Sequence, residues 1–113
     1  TMLGIPGVRL RVAAMKDSGG SGHLLELIEY LHPQPVPRKS RDHGRFIEIG
    51  SANVCYMVDD LAAIFERLKA AHAECVNPPA DYVRDGKRMG KILFALDPDR
   101  IPIGLFEPAT EPD

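Results

Sequence analysis

The side chains able to do chemistry in this chain are few, and most are poorly grouped. Cys55 and Cys75 stand 20 residues apart with no CxxC spacing. Two thiols so placed read as reduced core residues, which points to a reducing, cytoplasmic setting. The histidines His23, His32, His43 and His72 are scattered, and each reads as a surface group before it reads as a ligand. A basic cluster, Arg38, Lys39, Arg41 and Arg45, is diluted by Asp42 and carries no aromatic between its charges. It reads as a solvated linker rather than an anion site. Arg84, Lys87, Arg88 and Lys91 flank Asp85-Gly86. They are open to two readings, a patch that orients an anionic substrate or an ordinary solvated loop. Glu26 is different, because it lies between Leu24 and Ile28 in the apolar run HLLELIEY. A carboxylate there is either a ligand-binding acid or proton-transfer group, or a remnant satisfied by a neighbour or a water.

The elements that must carry these residues fit one small domain. The chain has 113 residues, 44% hydrophobic and 27% charged, with a formal net charge of -2. That balance excludes a disordered tail, a collagen-like fibre and a disulfide scaffold. A sequence pI near 6.0 argues against a nucleic-acid binder, and no apolar run approaches the roughly 18 residues of a membrane helix. Val8 to Met15 and His23 to Tyr30 read as two strands joined by the glycine-rich turn KDSGGSG, an antiparallel hairpin. Pro33, Pro35 and Pro37 open a connector over residues 33–50.

Beyond it, Ala52 to Val58 reads as a strand, and Asp59-Asp60 as the start of a helix. Leu61, Ile64, Phe65 and Leu68 form the apolar stripe of that helix, which is expected to run to about Ala73. Short strands are expected at Glu74 to Val76, Lys91 to Leu96 and Ile103 to Phe106, with a break at Pro78-Pro79 and a loop over Asp85 to Gly90. The order β, α, β, β, β is that of an α+β fold.

The runs GSANVCYMVDDLAAIFERLKAAHA, NPP and LFALDPDRIPIGLFEP resemble the second βαβββ module of the vicinal oxygen chelate superfamily. That superfamily includes glyoxalase I, bleomycin-resistance proteins and extradiol dioxygenases. GIPGVRLRVAAM and GHLLELIEY resemble the last two strands of its first module. The resemblance implies a single glyoxalase-like domain over 1–113, with a partial first module at 1–32 and a complete module at 51–109. The opening strand and helix of the first module have no counterpart before Val8. The resulting open sheet edge leads to an expected homodimer.

The same resemblance implies where a divalent metal would bind. Of four ligand positions, the first is absent and the second falls on Glu26. The third, usually His, falls on Asn53, and the fourth, usually Glu, falls on Gly104. An amide oxygen and a glycine are a poor set for Zn or Ni, so no metal and no other cofactor is expected. Glu107 lies three residues beyond Gly104 and so points to the opposite face. Arg100 replaces the usual glycine of a DPDG turn. The trough face is implied to include Asn53, Cys55, Met57 and Phe106, with Arg88 at its mouth, which suits a small, partly hydrophobic ligand.

The reading is a small-molecule-binding protein of the bleomycin-resistance type, a dimer without family-type metal catalysis. It engages neither nucleic acid nor membrane. The alternative is a glyoxalase- or dioxygenase-like enzyme whose metal site is completed by another chain or a further strand.

Overall fold

Side-chain alternation builds two separate sheets in a computed structural model that describes residues 2–36 and 49–110. Pro37, Arg38, Lys39, Arg41, Asp42, His43 and Arg45 lie outside the described residues. The chain divides into two units, Thr1–Lys39 and Ser40–Asp113.

In the first unit, β1 (Arg9–Lys16) pairs antiparallel with β2 (Leu24–His32) as a two-stranded sheet. One face carries Leu10, Val12, Ala14 and Lys16 opposite Tyr30, Ile28, Glu26 and Leu24. The other sets Ala13 and Met15 opposite Leu27 and Leu25, and Arg11 opposite Glu29. Arg11 Nη1 and Glu29 Oε2 form an ion pair at 2.9 Å. Val12, Met15, Leu24, Leu27 and Ile28 are all exposed. At the hairpin tip, Asp17 accepts hydrogen bonds from the Ser21 hydroxyl and from Ser21 N at 3.1 Å. Those bonds, led by the Ser21 hydroxyl, hold the Asp17 carboxyl below the usual carboxylate range.

The second unit is a four-stranded sheet in the order β3-β6-β5-β4. Its strands are β3 (Val54–Met57), β4 (Ala80–Arg84), β5 (Lys87–Leu96) and β6 (Pro102–Pro108). β3 runs parallel to β6, and the other pairs are antiparallel. Helix α1 (Leu61–Ala70) follows β3 and starts where two carboxylates wait for free amides. Asp60 caps it through Ala63 N at 2.9 Å, and Glu107 of β6 accepts from Leu61 N at 2.7 Å. Both negative charges suit the positive end of the helix. The apolar stripe of α1 then buries Leu61 completely against Leu93 and Ala95, with Val58, Phe65, Leu68, Cys75 and Leu105 packed around them.

Three expectations need correction. The helix stops at Ala70 rather than near Ala73, because His72 takes a left-handed conformation at φ 56°. Ala73 N and His72 N bond back to Leu68 O and Lys69 O, a Schellman ending with histidine in the usual glycine place. Glu74 to Val76 is not a strand but an isolated bridge, Cys75 to Ala95. The second strand of the module is β4, and the expected loop over Asp85 to Gly90 is a tight turn. Asp85 and Gly86, at φ 51° and 75°, reverse the chain as Asp-Gly does in type I′ hairpins, so β5 begins at Lys87.

Between the bridge and β4 the backbone cannot pair, because Pro78 and Pro79 have no N–H. The Asn77 side chain takes over. Its Oδ1 accepts from Phe94 N at 3.0 Å, and its Nδ2 donates to Ile92 O at 3.2 Å. One amide side chain thus does the work of a peptide group along the edge of β5. Across the sheet, the DPDR turn keeps its shape with Arg100 at φ 64°. Asp97 Oδ1 accepts from Asp99 N and Ile101 N, and Arg100 Nη1 reaches Glu74 Oε2 at 2.8 Å.

Asn77→Ala is expected to lower unfolding stability by about 1–3 kcal/mol in urea denaturation, since it leaves two part-buried backbone groups without these partners. For the hairpin tip the sign follows from the depressed Asp17 carboxyl. Its contribution is present above the ordinary value of 3.8 and lost as pH falls through the lower folded value. The Ser21 amide resonance should therefore move in that acid range in the native protein and stay still in Asp17→Asn.

Candidate functional site

Helix α1 covers the face of the second sheet that carries Leu93, Ala95 and Leu105. Side chains of neighbouring strands at the same register share a face, so the opposite face can be read in rows. The first row is Cys55, Gly104 and Phe94; the second is Met57, Phe106, Ile92 and Ala80. A third brings Tyr82 and Pro108 to either side of Gly90. The Tyr82 ring meets the Phe106 ring edge-on, with centroids 5.9 Å apart, the geometry aromatic quadrupoles favour. Met57 is 74% exposed, Cys55 is also exposed, and Phe94 and Phe106 are half-buried.

Two glycines let the rows close up. At Gly90, with φ 154°, a Cβ would lie 2.2 Å from Glu107 O and 2.9 Å from the Phe106 ring. Only glycine allows that approach of β5 to β6. At buried Gly104, a Cβ would meet Phe94 Cε1 at 3.0 Å and Cys55 Sγ at 3.1 Å. The Phe94 ring and the Cys55 thiol therefore converge above the glycine.

Of the residues singled out from sequence, Cys55, Met57 and Phe106 come together on this face. Asn53 precedes β3, outside any strand, and is exposed. Arg88 lies in β5 rather than in a loop, and its Nε donates to Asp81 Oδ1 at 2.9 Å. Glu26 belongs to the first unit, opposite Ala14, and is exposed. Glu107 lies on the helix side, as its spacing from Gly104 requires. The expectation of two core thiols holds for one of them. Cys75 packs at the core and burial raises its thiol above the ordinary value, whereas Cys55 is exposed.

Tyr82, Ile92 and Phe94 were not anticipated. The Asp-Gly turn after ADYVR was the signal for Tyr82, because it marks β4 as one arm of a hairpin. Ile92 and Phe94 follow from the two-residue period that runs through Gly90.

As metal donors, positions 53 and 104 supply one amide and no side chain. Among the described residues, no group of three or more His, Cys, Asp or Glu is placed to hold a metal ion. One other polar cluster looks catalytic by residue type. Ser21 Oγ lies 3.0 Å from His23 Nδ1 and also bonds Asp17. The hydroxyl hydrogen goes to Asp17, which leaves the imidazole as a donor to Oγ rather than its base. The trio closes the hairpin tip.

No helix among the described residues is long and apolar enough to cross a membrane. No curated protein gives a significant match to the chain. A solved structure does: a glyoxalase family protein from Bacillus cereus, at TM-score 0.71 and 21% identity, aligned over 91% of this chain. The chain spans 64% of that structure's length, and at this identity the likeness speaks for the α+β glyoxalase-like fold alone. The sequence also matches the Glyoxalase/Bleomycin resistance protein/Dioxygenase superfamily over residues 7–105. The chain belongs to that superfamily.

Proposed function

We propose that this protein binds a small, partly hydrophobic molecule on the helix-free face of its second sheet, without a divalent metal. The observation that carries the reading is the make-up of that face. Two sulfur-bearing side chains, Cys55 and Met57, share it with Phe94, Phe106, Ile92 and Tyr82. Apolar and aromatic walls of this kind gain affinity by removing ligand surface from water. Position 53 adds one neutral amide at the rim of the face, and no carboxylate lies in its first two rows. The bound molecule is therefore neutral or weakly polar, and aromatic groups suit the Phe106–Tyr82 pair. Arg88 lies opposite Val83 and is engaged by Asp81, the two neighbours of Tyr82 that alternate away from this face, so it is not assigned to the site.

Glu26 stands exposed in the hairpin of the first unit, opposite Ala14. The two-stranded sheet offers unpaired edges among the described residues and exposed apolar side chains on both faces. Such a hairpin is marginal alone in water, which supports a homodimer. The protein works in the cytoplasm, where its thiols stay reduced.

Methyl NMR on the methionines tests the site directly, with indole as the probe. The Met57 methyl is expected to shift saturably while Met15 and Met89 stay still, in protein treated with chelator. Phe106→Leu is expected to weaken indole binding about tenfold, or about 1.4 kcal/mol. Indole binding that leaves Met57 unmoved, or that requires added Ni, Mn or Zn, contradicts the proposal. Sedimentation equilibrium at micromolar concentration is expected to give a dimer; a monomer there removes the proposed assembly.

A further inference from the structure

We propose that Gly104 is the residue that sets the chemistry of this face: with no side chain of its own, it cedes its space to Phe94 and Cys55, and this packing closes position 104 to a metal ligand. The inference rests on the reading of the face as a metal-free binding surface, but its test does not depend on indole binding.

The geometry is specific. Gly104 is buried in β6, between Cys55 of β3 and Phe94 of β5 in one cross-strand row. A Cβ built there falls 3.0 Å from Phe94 Cε1, 3.1 Å from Cys55 Sγ and 3.4 Å from Cys55 Cβ. Carbon and sulfur atoms do not rest that close without one of them yielding. The backbone is no obstacle, since Gly104 is not among the glycines with positive φ. A glycine in an ordinary strand conformation is usually improved by alanine, which lowers the entropy of the unfolded chain. Its presence here is accounted for by its neighbours rather than by its dihedral angles.

The consequence reaches the site. A side chain at position 104 would start a few tenths of an ångström inside ordinary contact with the ring edge and the thiol, so one of them has to yield before a carboxylate can extend over this face. What a ligand meets above position 104 is therefore sulfur and aromatic carbon. A donor added at position 53 leaves that arrangement unchanged.

The test is a thermodynamic cycle on the intact chain. Gly104→Ala is expected to lower the thermal midpoint by about 4 °C or more in the otherwise native protein. Against a Cys55→Ala/Phe94→Leu background, the same exchange is expected to raise it, because the ordinary gain from alanine is no longer offset. Gly104→Ala that raises the midpoint equally in both backgrounds shows the space to be free and overturns the proposal. If Gly104→Ala alone does not fold, folding of the triple variant supports the packing account, and its failure to fold overturns it. In parallel, Asn53→His/Gly104→Glu is titrated with cobalt(II) alone. Absence of a visible ligand-field band is expected, and a stoichiometric band overturns the proposal. Failure of indole to bind would leave both readouts intact, so the two readings fail separately.

Discussion

The packing of one short helix on one face of a four-stranded sheet is the constraint on which the second unit depends. Leu61 has to reach Leu93 and Ala95, and full burial of a leucine side chain is worth roughly 1.5–3 kcal/mol. That contact decides which face of β3, β5 and β6 is core and which is left free of the helix. Register does the rest, since a slip of one residue would exchange the two faces. The glycines at 90 and 104 let β5 and β6 carry aromatic side chains at close quarters on the free face. Core and candidate site are thus two consequences of a single register.

Polar groups hold that register at its ends. Glu107 leaves β6 on the helix side and meets the first amide of α1, so the strand that lines the site also anchors the helix behind it. Asn77 carries the edge of β5 past two prolines that cannot pair. Arg100 keeps the β5–β6 turn in a left-handed conformation and is tied to Glu74. Each device sits where the backbone alone leaves a donor, an acceptor or an unfavourable dihedral.

Much of this was legible in the sequence. The hairpin, the helix stripe from Leu61 to Leu68 and the closing strand around Gly104 follow from period and turn chemistry, and the superfamily from the order of those segments. The region between Ala70 and Gly90 was not. Its short bridge at Cys75 looks like a strand by apolar content, whereas β4, with Asp81 and Arg84, looks like a loop by charge. Only the Asp85-Gly86 turn marks it. Of the site, Cys55, Met57 and Phe106 were placed by the superfamily resemblance, which implied them for the trough face. The contact of Phe94 and Cys55 over Gly104 could not be placed that way, because it joins three strands whose register only the folded sheet defines.

The central claim is that this member of the superfamily offers an apolar, metal-free surface for a small molecule. Native mass spectrometry of the protein, purified without chelator and with divalent metal present throughout, tests it most directly. The account predicts a mass that corresponds to polypeptide with no bound metal. A stoichiometric divalent ion retained on the folded protein would contradict it.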